Sequence, residues 1–160
     1  MFKKAIIGEA PPDTRVKRED RGNLKIVVYK GDRVDEDVNP LLFRSGPIRL
    51  SPRDLRRIEL AIAYIREHFR ARISQEGLSM EVKISILKLQ AGLRFMTGYS
   101  LYGYQEQVRI GAASEMLSST QLSLSVIGRN VGLKTHSHFG EVFKRVTGLT
   151  PSEYRNRYGC

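Results

Sequence analysis

The sequence predicts an all-α domain of about seven short helices, built as two similar halves joined by a linker helix and preceded by a short irregular N-terminal extension. Three observations predict it. From Ser51 onward apolar residues recur at spacings of three and four, the period of a helix. Glycine, proline and hydroxyl residues interrupt that pattern at short intervals, where helices start and stop. The helical part also repeats itself at an interval of about 50 residues.

Residues 1–50 form the extension. Five of the six prolines (Pro11, Pro12, Pro40, Pro47, Pro52) fall in the first third, with charge-dense stretches at Arg15–Arg21 and Asp32–Asp37, so this part is expected to be irregular. Its exception is Leu24–Lys30, a β-branched run closed by Gly31-Asp32, which reads as one strand or half of a small hairpin.

Residues 51–160 form the domain. In Ser51-Pro52-Arg53-Asp54 the serine can cap, the proline suits the first helical position, and the aspartate stands where a capping carboxylate belongs. Leu55, Ile58, Ile62, Ile65 and Phe69 then lay one apolar stripe along a helix of about five turns. Further amphipathic segments follow at Gln75–Val82, Ile86–Thr97, Ser100–Ser119, Leu124–Val131, Thr135–Thr147 and Pro151–Arg157, separated by Lys83-Ile84-Ser85, Gly98, Gly132, Gly148 and Pro151. The connections are only a few residues long, which keeps successive helices in contact.

The repeat is regular. Val82 matches Val131 and Ile84 matches Leu133 at an offset of 49. Leu89 matches Phe139, Leu93 matches Phe143, Gly98 matches Gly148 and Tyr104 matches Tyr154 at an offset of 50, so the second copy carries one extra turn residue. Each copy is a short helix, a tight turn and a longer helix, the spacing of a helix-turn-helix, in which the second helix offers its outer face to a DNA major groove. The copies span about 75–98 and 124–148. The intervening segment, 100–119, would be roughly 30 Å long as a helix, close to the 34 Å or so between successive major-groove faces on one side of B-DNA.

Charge fits this reading. The chain has 27 Lys and Arg against 17 Asp and Glu, a net +10, which favours polyanionic partners. Residues 51–160 hold 16 of these cations against 9 acids, and residues 1–50 hold 11 against 8. No segment reaches the roughly 18 uninterrupted apolar residues of a membrane span, so no membrane partner is expected. The lone cysteine, Cys160, excludes an internal disulfide framework and fits a reducing, intracellular setting. No Ser-His-Asp, Cys-His, phosphate-loop or paired-carboxylate constellation stands out, and a non-enzymatic protein without cofactor or metal is expected. His136 and His138 form an H-x-H pair, but residues two apart on a helix diverge and no third ligand lies near. His138 is expected to be partly buried beside Phe139, with His136 facing outward. Leu89, Leu93, Tyr104, Ile127, Val131, Phe139, Phe143 and Tyr154 are assigned to the core.

Residues 55–157 resemble the DNA-binding domain of the AraC/XylS family of transcription regulators. The resemblance is carried by Ile127-Gly-x-x-Val131-Gly-Leu133, Ser137-His-Phe139, Phe143-Lys144 and Gly148-Leu-Thr-Pro-Ser-Glu-Tyr-Arg155, with Arg109-x-x-x-Ala113-x-x-x-Leu117 and Ser85-x-x-x-Leu89 in support. Gly128 and Ser79 stand where the family has alanine, Leu133 where it has phenylalanine, and Lys83 where glycine is common in the first turn. The last would be strained if that position needs positive φ. The resemblance implies a bacterial, cytoplasmic, nucleoid-associated transcription regulator of activator type whose partner is double-stranded DNA. The implied groove-facing residues are Leu87, Lys88, Gln90, Ala91 and Arg94 in the first copy. In the second they are Thr135, His136, Ser137, Gly140 and Glu141, with Lys144 nearer the backbone. Gln90 can pair with adenine, Glu141 can accept from cytosine, and Leu87 and Ala91 can meet thymine methyls.

Fifty residues are too few for the β-barrel effector domain usual in the family, so no small-molecule effector is expected in this chain. Regulation is expected through abundance or through RNA polymerase or another protein met by the extension. The alternative reading, prompted by the scarcity of arginine at Ala91, Gly140 and Glu141, is a helical protein-interaction module that has lost DNA affinity.

Overall fold

The computed structural model describes residues 14–18, 24–28, 48–133 and 135–159, with side chains from Ile48 onward, His136 excepted. Three strands, β1 (Thr14–Arg18), β2 (Leu24–Val28) and β3 (Ile48–Leu50), precede seven helices, α1 (Pro52–His68), α2 (Gln75–Glu81), α3 (Ile86–Thr97), α4 (Leu101–Ser119), α5 (Leu124–Asn130), α6 (His136–Thr147) and α7 (Pro151–Tyr158). The strands form one antiparallel sheet in the order β1-β2-β3, with Val16 opposite Ile26 and Leu24 opposite Leu50.

Of the two readings of Leu24–Lys30, one strand or half of a small hairpin, the second holds: the segment pairs antiparallel with β1, and β3 joins its other edge. The Leu24–Lys30 segment thus supplies the sheet's middle strand. The stretch beginning at Arg15, expected to be irregular, is instead strand through Arg18. Only one large apolar residue, Val16, interrupts its cations, so it carries no alternation to read. Residues 29–30, the 32–37 stretch and Cys160 lie outside the described residues.

The helix ends follow from local chemistry. At the start of α1 the Ser51 amide and hydroxyl both donate to Asp54 Oδ2, at 2.9 and 2.8 Å, and the Asp54 amide returns a bond to Ser51 Oγ at 3.1 Å. Ser74, Ser85, Ser123, Thr135 and Thr150 cap α2, α3, α5, α6 and α7 with their hydroxyls. Gly98 and Gly148 end α3 and α6 in the left-handed conformation.

The chain divides into two compact units, one taking in the sheet, α1 as far as Tyr64, and Ser74–Tyr104, the other Ile65–Ile73 and everything from Gln105. In the first, α3 packs against β2 and β3. Leu50, Ile58, Ala61, Leu78, Leu89 and Leu93 are buried there. A Cβ at Gly92 would fall 1.9 Å from Ile58 Cδ1, so α3 meets α1 closely there and any side chain at that position would have to displace the end of Ile58. In the second, Ile110, Ala113, Leu117, Ile127, Val131, Leu133, Phe139, Val142 and Phe143 form one core, with Phe69 and Tyr154 packed against it. Phe143 lies edge-on to Phe139 at 5.7 Å and to Tyr154 at 5.3 Å, pairs that each contribute about 1 kcal/mol beyond area burial.

Candidate nucleic-acid interface

The two copies share one turn geometry. Val82 closes α2 and Val131 closes α5, each with ψ near zero. The Val82 amide donates to the Leu78 carbonyl and that of Val131 to Ile127, both at 3.1 Å; Ile84 donates to Ser79 and Leu133 to Gly128. The single extra residue of the second copy lies between Leu133 and the cap Thr135. At the central turn position the copies part chemically: Gly132 has φ 82° and Lys83 has φ 55°, the only non-glycine positive φ among the described residues. A lysine in that region is strained by about 1 kcal/mol relative to glycine.

Where the resemblance expects alanines, Ser79 donates its hydroxyl to the Ile84 carbonyl at 2.6 Å, bracing the first turn. A Cβ at Gly128 would sit 3.2 Å from the Leu133 carbonyl oxygen and 3.3 Å from the Phe139 ring, so the second motif closes tightly around the missing methyl.

Gly132 is needed twice over. Besides its φ, a Cβ there would fall 2.4 Å from the Arg70 carbonyl oxygen. That backbone is itself clamped, because Gln105 Nε2 donates to the Phe69 and Ala71 carbonyls, and Arg109 donates to the same two at 2.7 and 3.1 Å. Burial lowers the Arg109 guanidinium below its ordinary value, with Glu106 opposing.

The outer face of α6 is open. Phe139, Val142 and Phe143 turn inward, while Ser137, His138, Glu141, Lys144 and Arg145 are exposed. Gly140 lies among them, and a Cβ added to it would meet nothing within 4 Å. Thr135 is exposed and spends its hydroxyl on the helix cap, accepting from the His138 amide. The backbone of His136 starts the helix; its side chain lies outside the described residues. His138 is exposed rather than partly buried. At an offset of 50 it stands opposite Lys88, a signal for an outward position that the expectation drawn from its neighbour Phe139 missed. Arg145 ion-pairs with Glu106 at 2.8 Å while staying largely exposed.

The corresponding face of α3 is largely engaged. Ala91, expected to meet a thymine methyl, is only 2% exposed, whereas its counterpart Glu141 is open; on this chain Ala91 is core. Gln90 donates through Nε2 to Gln75 Oε1, and its own Oε1 is buried without a partner. Lys88 Nζ lies 2.8 Å from Asp54 Oδ2. Burial raises the Asp54 carboxyl, but Lys88 and the Ser51 amide and hydroxyl outweigh it and hold the group below its ordinary value. Leu87 and Arg94 are half-buried on the same face. Asp54 is thus a residue of this surface that capping logic alone placed only at a helix start. Among the described residues no three His, Cys, Asp or Glu gather as metal ligands, and no helix is long and apolar enough to cross a membrane.

A family described as "Helix-turn-helix domain" matches residues 78–157. The arabinose operon regulatory protein of Escherichia coli is 33% identical over 105 residues, covering 65% of this chain and 35% of that protein. The chain thus spans about a third of that relative's length. The C-terminal domain of AraT, a response regulator from Geobacillus stearothermophilus, superposes with a TM-score of 0.61 at 28% identity, over 69% of this chain and 89% of that one. The DNA-binding domain of AdpA, described as a global transcriptional factor and solved with a target DNA, shares the fold, with a TM-score of 0.58 at 21% identity over 63% of this chain and 91% of that one.

Proposed function

The chain belongs to the AraC/XylS-type helix-turn-helix family, and from that premise we propose that it binds double-stranded DNA sequence-specifically and regulates transcription, with α3 and α6 entering adjacent major grooves. The outer face of α6 carries the proposal: Ser137, Gly140, Glu141 and Lys144, spaced as one helical stripe, are all left unused by the core on the opposite side. Glu141 supplies a base-edge acceptor and Lys144 supplies a phosphate contact.

The motifs contribute unequally. With Ala91 buried and Gln90 and Lys88 engaged within the protein, α3 acts mainly through backbone and shape contacts, and base readout rests on α6. Cytoplasmic action on the nucleoid, and a protein partner met through the N-terminal sheet, belong to the same reading.

The test is selection of bound duplexes from a random-sequence pool at two salt concentrations. The reading expects salt-steep affinity and one dominant half-site, with a weaker partner about 10 base pairs away. Charge reversal at Arg94 together with Lys144 should abolish binding. Retention of full affinity by that variant, or no duplex binding at either salt, refutes the reading, and capture of a protein partner in its place would support an interaction module.

A further inference from the structure

We propose that Asp54 withholds Lys88 from DNA: the carboxylate of α1 holds the ammonium of the first motif's second helix in an internal ion pair, so that Lys88 contributes no phosphate contact and the first motif binds more weakly than its cation count implies. The inference rests on the DNA-binding reading above and deepens it by naming the residue that limits affinity.

The geometry gives the reasons. Asp54 Oδ2 is fixed from three directions, by the Ser51 amide at 2.9 Å, the Ser51 hydroxyl at 2.8 Å and Lys88 Nζ at 2.8 Å. The carboxylate cannot follow Lys88 outward without giving up the cap of α1. The two side chains are unequally covered, 9% exposed for Asp54 and 39% for Lys88. Drawing Lys88 toward a phosphate would therefore leave the more deeply buried charge without its cation, and an unpaired buried charge is the costly outcome of breaking such a pair. The phosphate offers Lys88 only a solvated, salt-screened partner in exchange. Held together, the pair is electrically neutral and releases no counterion on binding, whereas each cation that reaches a phosphate adds about 0.9 to the salt slope of the affinity. His138, the equivalent residue of α6, is exposed, so the arrangement belongs to the first motif.

The experiment compares four full-length proteins, wild type, Asp54→Asn, Lys88→Met and the double variant, for binding to a labelled random-sequence duplex across about 50–200 mM salt. Asn keeps an oxygen to accept from the Ser51 amide, and urea unfolding of each protein reports whether the fold is retained. Asp54→Asn is expected to steepen the slope by about 0.9, an extra loss of about 3.5-fold across that range. Lys88→Met should leave the wild-type slope unchanged, and the double variant should return to it. A slope shallower by about 0.9 in Lys88→Met alone would show Lys88 already on a phosphate and overturn the proposal, even if Asp54→Asn fails to fold. An unchanged slope in folded Asp54→Asn would overturn it as well. Absence of any salt-dependent binding by wild type would instead bring down the DNA-binding reading, and this inference with it.

Discussion

Replacing Gly132 by alanine tests how the second motif is seated, and Gly148→Ala is its internal control. Both glycines have left-handed backbones, φ 82° and 80°. A Cβ at Gly148 meets nothing within 4 Å, so Gly148→Ala is charged only with the conformational penalty, about 1–2 kcal/mol, reduced by some 0.4–1 kcal/mol because alanine restricts the unfolded chain. Gly132→Ala carries that same penalty and also drives its methyl to 2.4 Å from the Arg70 carbonyl oxygen, an ångström short of ordinary contact. Relief requires Arg70 to retreat, and its neighbours Phe69 and Ala71 are held by Gln105 and Arg109. Losing one hydrogen bond from a charged donor costs about 1.5–3 kcal/mol. Gly148→Ala should therefore cost about 1 kcal/mol and Gly132→Ala about 3 kcal/mol or more, read as the difference in urea midpoints at constant m-value. Equal losses in the two variants would refute the claim that Gly132 is required by close approach as well as by its φ.

Other consequences follow from the same contacts. Lys83→Gly should stabilise the protein by up to about 1 kcal/mol by relieving the φ of 55°, and a loss of stability in urea would contradict strain at that turn. Leucine at Gly140 or at Gly111, both helical with open space at Cβ, should raise stability by about 0.5–0.8 kcal/mol. Only Gly140→Leu should lose duplex binding by gel shift, and equal binding by both variants would remove Gly140 from the interface. Because the folded Asp54 carboxyl sits below its ordinary 3.8, its ionisation favours the folded state above that pH, and the contribution fades as pH falls through the lowered value. Urea midpoints of wild type should therefore fall more steeply below pH 3.8 than those of Asp54→Asn, and parallel profiles would count against the Lys88–Asp54 pair.

The helices were legible because their ends are written locally. Ser85 and Gly98 bracket α3 at the predicted residues, and the repeat located both turns, including the one where Lys83 takes a glycine's conformation. What escaped reading depends on what lies opposite in space. Ala91 and Glu141 hold equivalent places in the repeat, yet one is buried and the other open, a difference that no helical period encodes. The strand Thr14–Arg18 is ordered by pairing with β2 rather than by its own apolar pattern. Lys88 looked like a free groove-face cation because its partner, Asp54, lies 34 residues away.

The clamp on Phe69–Ala71 bears on how such a duplicated protein can be taken apart. The stretch Ile65–Ile73 precedes the first helix-turn-helix in the chain but belongs to the unit that contains the second. Cut out from residue 100 onward, the second motif would lose Phe69 from its core, the acceptors of Gln105 and Arg109, and the backbone on which Gly132 rests. The duplication therefore does not yield two interchangeable cassettes. The folded unit that seats α6 is discontinuous along the chain, and an excised second motif needs Ile65–Ile73 restored to it.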